Sequence, residues 1–364
     1  MSSLAILLLT RGSTHSYAVA GAAVGAGALA TAALAPVQGR LIDHAGRARV
    51  LAPVALAQSA MLVLLVLAAH WHAGAAPLIL LAGASGALVP SIAPSVRALL
   101  GEVMVDPQVR ESAYALESIA QELVWIVGPL LVGVVVALTS ASVAVLLLGV
   151  VCVSGTLVFV RAPLAARPRT RDVGHARVSA LTAPLRMLLG PIALTGFGLG
   201  AVEVGLPSLA LHAGSRSSSG ILLALWSVGS MIGGLWFGSR NWRSSLPTRY
   251  RTLLITAVAL TAPLIVARSV PAGAVCAVLA GLAIAPVFSC QYALVGRAAR
   301  AGSETEAFTW VTSALVAGIA AGAAAAGAVI SSAGVGAPFI VGCAATLLAA
   351  ALAMASRGRV LQLA

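Results

Sequence analysis

Long apolar stretches separated by short polar gaps make up most of the chain. Eleven of them have about the 20 consecutive, mostly apolar residues that a helix needs to cross a bilayer. They lie near 17–38, 50–69, 77–100, 112–138, 141–160, 187–211, 218–238, 252–270, 272–295, 306–331 and 335–356. This pattern predicts an all-α polytopic membrane protein.

The stretch Met1–Thr10 is apolar but short. Ten helical residues rise only about 15 Å, which is half of the hydrocarbon core. The stretch has neither the charged start nor the small-residue cleavage site of a secretory signal. We interpret it as the end of a partial first span, and expect either a true start upstream of Met1 or a truncated copy of a longer chain.

Composition excludes several classes of protein. Hydrophobic residues make up 60% of the chain, charged residues only 9%, and the mean hydropathy is +1.03. A soluble chain carries about 25% charged residues. Soluble enzymes and nucleic-acid-binding proteins are therefore excluded, although the net charge is +12.

The positions of the 22 basic residues, all of them arginine, predict the orientation. When the gaps between spans are assigned alternately to two sides, one side holds only Arg11, Arg216 and Arg268. The other 19 arginines lie on the opposite side, which the positive-inside rule makes cytoplasmic. We therefore expect a multi-pass protein of the bacterial inner (plasma) membrane with a cytoplasmic C-terminus.

The longest polar stretch, roughly Arg161 to Arg186, divides the spans into six and six. It predicts an N-terminal transmembrane bundle at 1–162, a cytoplasmic linker at 163–186 and a C-terminal bundle at 187–364. Two halves of similar size are typical of transporters that are built from repeats.

Small residues predict close contact between helices, because glycine lets two backbones approach. The examples in this sequence are Gly21, Gly25, Gly27, Gly318 and Gly322.

The most specific motif lies between the second and third spans, counting the fragment as the first. It reads Gly39-Arg40-Leu41-Ile42-Asp43-His44-Ala45-Gly46-Arg47-Ala48-Arg49. We expect Gly39 to end one helix in a left-handed conformation and Gly46 to let the chain turn. Asp43 can lie against the N-terminus of a neighbouring helix, and Arg47 can pair with Glu102 or Asp106.

This loop resembles the signature of the major facilitator superfamily: Gly, three residues, Asp, Arg, any residue, Gly, Arg, and a basic residue close by. It departs from that signature at His44, where the family has arginine, and at Ala48, so that the basic residue comes one place later at Arg49. A second segment, Gly128-Pro129-Leu130-Leu131-Val132-Gly133, partly resembles the Gly-Pro motif of the superfamily's antiporters; a simple packing kink is the alternative.

The resemblance implies a major facilitator fold of two six-helix bundles, here with about eleven full spans and a partial first one. It also implies alternating access to a central site and a cytoplasmic latch. The latch residues would be Gly39, Asp43, Gly46, Arg47 and Arg49. Gly128, Pro129 and Gly133 would shape the interface between the bundles.

Carboxylates inside spans are candidates for proton coupling, because a charge in the bilayer is costly and is retained for function. Three acids qualify: Glu117 and Glu122 in the fifth span, and Glu203 in the seventh. The alternative for each is a structural carboxylate held by arginine or by hydroxyl groups. Polar residues in the apolar runs supply candidates for the substrate cavity, namely Ser85, Gln121, Trp226, Tyr292, Thr309 and Trp310.

No pattern for a metal, a cofactor or catalysis is present. The four cysteines lie singly in apolar runs, and the chain has no nucleotide-binding loop and no catalytic motif. The sequence thus predicts a monomeric, lipid-embedded, proton-coupled exporter of small amphiphilic or drug-like molecules that is not an enzyme. A proton-coupled importer of a small metabolite and a non-transporting, decayed copy are the alternatives.

Overall fold

The computed structural model describes residues 2–164, 180–215, 218–240 and 242–355, and these ranges contain helices and no strand. Fourteen α-helices lie in them. Their bounds are α1 Ser2–Thr14, α2 Tyr17–Ala45, α3 Arg47–His70, α4 Ala75–Ala87, α5 Ile92–Val103, α6 Pro107–Leu138, α7 Ala141–Arg161, α8 Ala183–His212, α9 Ser218–Gly238, α10 Leu246–Thr261, α11 Val270–Gly281, α12 Ile284–Ala298, α13 Glu304–Ala333 and α14 Ala337–Ala355. The predicted all-α class is confirmed.

In the described ranges, ten helical segments are long and apolar enough to cross a membrane. α4 and α5 together form one of them, and α11 and α12 another. The run predicted at 252–270 is not among the ten. It forms the sixteen-residue α10, followed by a 3-10 turn over Ala262–Ile265. Pro263 accounts for this difference, because proline has no N–H for continued α-helical hydrogen bonding.

Several predictions fall on residues outside the described ranges. These residues include most of the predicted linker (165–179) and Arg216 of the arginine-poor side. They also include Arg357 and Arg359 near the C-terminus.

Side-chain hydroxyl groups fix where many of the helices begin. Ser16, Ser140, Thr182 and Ser269 each accept a hydrogen bond from a backbone amide in the first turn of the following helix. Such caps satisfy amides that have no partner within the helix.

The break between α4 and α5 shows how a membrane helix tolerates proline. Pro90 lies in this break and cannot donate a hydrogen bond to the preceding turn. Two side chains of α2 satisfy carbonyls next to the break: Thr31 Oγ1 donates to Gly86 O at 2.7 Å, and Gln38 Nε2 to Ala87 O at 3.0 Å. Replacement partners of this kind are what an interrupted helix requires in lipid.

The chain forms two compact units. Unit 1 comprises Met1–Leu99, Val124–Ser179 and Arg300–Ser313, and unit 2 comprises Leu100–Leu123, Ala180–Ala299 and Ala314–Ala364. Residues such as Leu62, Leu65 and Val145 form an apolar core within unit 1. Unit 2 has its own core, which includes Leu206 and Phe339.

Glycines allow close helix packing in both units. In unit 2, a Cβ added at Gly318 would lie 2.9 Å from the Ala193 carbonyl carbon, and one at Gly322 would lie 2.7 Å from that of Phe197, so α13 packs directly on α8. In unit 1, a Cβ at Gly27 would lie 3.3 Å from Ala82 O. The prediction was wrong for Gly21 and Gly25, where an added Cβ meets no described atom within 4 Å.

Candidate functional site

The motif loop is shorter than the sequence suggests, because α2 continues through Gly39 and ends at Ala45. The expectation that Gly39 ends a helix was therefore wrong. The chain turns at Gly46, whose φ of +93° lies in the region that favours glycine, and α3 begins at the next residue, Arg47.

Asp43 binds the N-terminus of α13. Its carboxylate oxygens accept hydrogen bonds from the backbone amides of Thr305, at 3.2 Å, and Glu306, at 2.8 Å. Both donors belong to the first turn of α13, where the aligned peptide dipoles leave a partial positive charge. The placement of an aspartate against a helix start thus follows from simple electrostatics.

An ion pair lies next to this contact. Arg40 Nη2 donates to Glu306 Oε1 at 2.8 Å. The Glu306 side chain is only 2% exposed, whereas that of Arg40 is 53% exposed, so a buried carboxylate is reached by a guanidinium from the surface. A buried carboxylate that loses its partner is strongly destabilising. Sequence reasoning missed this pair, although Arg40 belongs to the motif and Glu306 to the first turn of α13.

Gly39 has a steric role here. A Cβ at Gly39 would lie 2.8 Å from Glu306 Cα, so any side chain would push α2 away from α13. Thr309, predicted as a cavity residue, is fully buried beside Gly39, and its hydroxyl donates to Glu306 O at 2.7 Å. We call the contact made by Gly39, Arg40, Asp43 and Glu306 the α2–α13 latch.

The remaining residues of the motif have different surroundings. Arg47 is buried at the start of α3, and Arg49, two residues further along, is exposed. Asp106, one of the two carboxylates proposed for Arg47, accepts hydrogen bonds from the amides of Gln108 and Val109 and so caps α6. The pairing of Arg47 with Glu102 stays a prediction.

An enclosed carboxylate lies on the part of α6 that belongs to unit 2. Tyr114, Ser118 and Glu122 follow one another at four-residue intervals, and all three are buried. Glu122 is 5% exposed, and its Oε1 accepts a hydrogen bond of 3.0 Å from Ser230 Oγ on α9. The Glu122 carboxylate, which belongs to a membrane-spanning helix, is thus enclosed by protein and hydrogen-bonded to the Ser230 hydroxyl.

The other two span carboxylates are more open. Glu117 and Gln121 lie on a half-buried face of α6, and Trp125 on the same face is exposed. Glu203 lies on an exposed part of α8. Of the three carboxylates that the sequence predicts as proton carriers, Glu122 has the most enclosed environment.

The predicted cavity residues lie in both units: Ser85, Thr309 and Trp310 belong to unit 1, and Gln121, Trp226 and Tyr292 belong to unit 2. Ser85 is buried and donates to Ala82 O in its own helix. Tyr292 is buried against Phe288, with ring centroids 6.0 Å apart. Trp310 is half-buried, and its indole N–H, a buried atom, has no hydrogen-bond partner in the described part of the chain.

The residues of the Gly-Pro motif lie within α6 in unit 1. Pro129 is inside the helix and exposed, and Gly128 is buried. Gly133 is exposed, and a Cβ there would meet no described atom within 4 Å.

A buried polar network in unit 2 was not predicted. Gln291 Nε2 donates to Tyr250 Oη at 3.0 Å and to Thr195 Oγ1 at 3.2 Å, and all three residues are buried. Gln291 Oε1 has no donor within the described residues. Thr195 and Trp226, a predicted cavity residue, line a small cavity of about 40 Å³. The sequence signal was present, since Gln291 interrupts an apolar run next to Tyr292.

The described ranges contain no group of three histidine, cysteine, aspartate or glutamate residues that could hold a metal ion. All four cysteines are free.

The spans and the polar contacts between them define a multi-pass α-helical membrane protein. Residues 1–246 match the sequence profile of the Major Facilitator Superfamily, and the chain belongs to this family. Family membership makes it a membrane transport protein rather than an enzyme. No curated protein sequence matches the chain.

Solved structures of transporters share the fold. The human organic anion transporter TETRAN is 20% identical, with 97% of this chain and 89% of that one covered and a TM-score of 0.69. A bacterial homologue of the iron transporter ferroportin, in an outward-facing state, is 17% identical, with 99% and 100% covered and a TM-score of 0.69. The E. coli fucose:proton symporter FucP is 14% identical, with 97% and 96% covered and a TM-score of 0.66. At these identities the similarity establishes the fold alone.

Proposed function

We propose that the chain is a proton-coupled exporter of small amphiphilic or drug-like molecules that works by alternating access in the bacterial inner membrane. The observation that carries this proposal is Glu122, a carboxylate buried in protein within a membrane-spanning helix. Such a group is costly in a membrane and is retained where it serves a transport step.

Glu122 can hold a hydrogen bond in both protonation states. The hydroxyl of Ser230 donates to the ionised carboxylate, and it can accept from the carboxyl group once that is protonated. Proton binding therefore changes the charge in the span while the hydrogen bond between Glu122 and Ser230 is kept. In the proposed cycle, Glu122 takes a proton from one side and releases it on the other, with Glu203 and Glu117 as alternative carriers.

The α2–α13 latch supplies the second part of the mechanism. The first turn of α13 lies beyond the predicted linker in sequence, but it packs on α2 within unit 1. In the proposed cycle these contacts hold the cytoplasmic side closed and break when that side opens. Arg47, Arg49 and Gly46 are proposed to complete the latch, and Gly128, Pro129 and Gly133 to shape the interface between the two halves.

The proposed substrate class follows from the aromatic and polar residues predicted to face the pathway. Trp226, Tyr292 and Trp310 combine apolar aromatic surface with a single hydrogen-bonding group, and Gln121 and Ser85 add polar groups, which suits amphiphilic molecules. The unpaired indole N–H of Trp310 supports a donor role toward substrate. A monomer embedded in lipid, with protons as its coupling ion, is sufficient for this scheme.

An importer of a small metabolite is the second candidate, favoured by one observation. The structurally similar FucP is described as a fucose:proton symporter, so this fold also carries out proton-coupled symport. A decayed, non-transporting copy is the third candidate.

Accumulation of fluorescent dyes and labelled metabolites in cells distinguishes the three candidates. In a bacterial strain that lacks its own exporters, we expect expression of the chain to lower the accumulation of an amphiphilic dye several-fold. A protonophore should abolish the difference, because it removes the driving force. Raised accumulation would favour the importer, and unchanged accumulation of every probe, despite verified membrane insertion, would contradict export of this class of molecules and leave the non-transporting copy or a substrate outside the panel.

A further inference from the structure

Unit 2 contains a second cavity, of about 380 Å³, that the proposed transport mechanism does not use. Its walls come from the start of α6, the end of α9, the connection to α10, the start of α10 and the end of α12. The arginine distribution places this region on the predicted cytoplasmic side. Its volume lies in the range of about 300–1,000 Å³ that is typical of small-molecule sites.

The cavity is strongly basic. Among the described residues, four arginines line it, Arg240, Arg249, Arg251 and Arg297, and Glu111 is the one carboxylate. The formal charge of the described lining is therefore +3, which favours an anion as the occupant.

Arg249 forms a rigid base for the cavity. It is buried, pairs with Glu111 and donates to Ser244 O at 2.8 Å. The rings of Phe237 and Trp242 lie 5.8 Å and 5.4 Å from its guanidinium carbon. Glu111 is thus committed to Arg249, and a longer contact of 3.8 Å joins it to Arg297.

Arg240 is available at the rim. It is exposed and lies over the ring of Trp236, 5.1 Å from the ring centroid. No carboxylate of the described residues forms an ion pair with it. Its guanidinium therefore keeps donors that can bind an anion.

The start of α10 adds further positive potential. Ser245, Leu246 and Pro247 line the cavity, and the side chain of Ser245, at the N-cap, accepts no hydrogen bond from the first turn. Its hydroxyl donates to Thr248 Oγ1 at 2.9 Å instead. At the start of α6, which also lines the cavity, the carboxylate of Asp106 already caps the helix. The start of α10 is therefore an electrostatically favourable place for an anion.

We propose that this cavity binds a phosphate group through Arg240, Arg251 and the start of α10, with Arg249 as its fixed base. Arginine is suited to this task because its planar fork donates two parallel hydrogen bonds to phosphate oxygens. The phosphate can come from two sources: the headgroup of an anionic lipid in the cytoplasmic leaflet, or a soluble phosphate compound. Basic pockets on the cytoplasmic side of membrane proteins recognise lipid headgroups by the same chemistry.

The test uses the full chain in lipid nanodiscs and has two arms. In the first arm, phosphatidylglycerol is titrated into phosphatidylcholine nanodiscs; in the second, inorganic phosphate and glycerol 3-phosphate are titrated into pure phosphatidylcholine nanodiscs. Thermal unfolding and tryptophan fluorescence report binding, because Trp236 and Trp242 lie next to the proposed site. The variants are Arg240→Gln and the double variant Arg240→Gln/Arg251→Gln.

Arg243→Gln is the matched control, because Arg243 is exposed on the same connection and does not line the cavity. We expect saturable binding in at least one arm, about tenfold weaker or more in the double variant and unchanged in the control, because the double variant removes two charged donors that line the cavity and the control removes none. Arg240→Gln alone should also weaken binding. Because Arg240 is exposed, this substitution is not expected to disturb the fold.

The arm that saturates identifies the source of the phosphate. Binding of phosphatidylglycerol alone establishes a lipid headgroup site, and saturable binding of the soluble compounds establishes a site for a free phosphate. The proposal is overturned if neither arm saturates, or if Arg240→Gln and Arg243→Gln bind the same probe equally well.

Discussion

Asp43 places a carboxylate against the first turn of α13 and accepts two backbone amides there. A charge at a helix N-terminus contributes about 0.3–1 kcal/mol, and about 2 kcal/mol when it is partly buried. This range is small compared with the stability of a fold but large enough to bias two transport states. A difference of 1.4 kcal/mol changes a ratio of populations tenfold.

Asp43→Asn removes this charge while keeping the size of the side chain. We expect the transport rate to fall about three- to tenfold with normal amounts of protein in the membrane, because the closed cytoplasmic state loses stability. Transport of a substrate found in the accumulation assay, normalised to membrane protein, measures the effect.

Asp106→Asn makes the same chemical change at another helix start, that of α6, outside the latch. It should leave the rate close to that of the wild type. Wild-type rates in Asp43→Asn, or equal losses in both variants, would contradict the latch.

Glu306 shows what the sequence could not reveal at the scale of single residues. It begins a span, and as one of two acids in a polar gap, beside Glu304, it carries no sign of burial in the sequence. Its burial results from α2 packing over the start of α13, at a point 266 residues away from Arg40 along the chain. The sequence predicts that the motif residues are charged and form contacts. It does not predict which side chain is buried beside them.

The packing of α2 depends on where its glycines lie. Gly39 faces the backbone of α13, whereas Gly25 on the same helix has no described atom near its missing side chain. The sequence pattern treats both as small residues and cannot tell a contact from open space.

Gly39→Ala and Gly25→Ala form a matched pair on this helix. At Gly39 the added methyl group overlaps Glu306, and overpacking of this kind costs about 1–3 kcal/mol. At Gly25 the change should stabilise the helix by about 1 kcal/mol, because alanine is the better helix former. Thermal unfolding in detergent should show opposite shifts; a stabilised Gly39→Ala variant would contradict the close contact.

Helix boundaries were the least predictable feature of the individual elements. The run 77–100 contains Pro90, and the structure divides it into α4 and α5, with α2 satisfying the carbonyls at the break. The apolar pattern gives the length of a span because lipid demands it. Whether a span is interrupted depends on contacts with neighbouring helices, and the sequence of the span alone does not show these contacts.

At the scale of the whole molecule, the apolar runs were sufficient to predict the all-α membrane fold, and the motif around Asp43 was sufficient to suggest the family. The basic cavity of unit 2 was not predicted, since Glu111, Arg249 and Arg297 come from three separate polar gaps. These residues come together only in the folded chain, and the hydrophobic pattern of the sequence does not predict their contact.

The predicted sidedness can be tested with two introduced cysteines. Ser239→Cys lies in an exposed arginine-rich connection, and Thr139→Cys in an exposed connection of the opposite side. We expect a membrane-impermeant thiol reagent to label Ser239→Cys only in inside-out vesicles and Thr139→Cys only in intact cells. The wild type measures labelling of the four native cysteines, and the reverse pattern would refute the assigned orientation.

The measurement that tests the central claim most directly is substrate-induced proton movement in everted membrane vesicles, with wild type, Glu122→Gln and Glu203→Gln run side by side. Glu122→Gln keeps the size of the side chain and can still accept the hydrogen bond from Ser230, whereas the titratable group and its charge are lost. We predict that an amphiphilic substrate discharges the pH gradient in the wild type and not in Glu122→Gln. Discharge at the wild-type rate in Glu122→Gln would contradict the role of this carboxylate, and a gradient unaffected by a substrate that cells demonstrably export would contradict proton coupling itself.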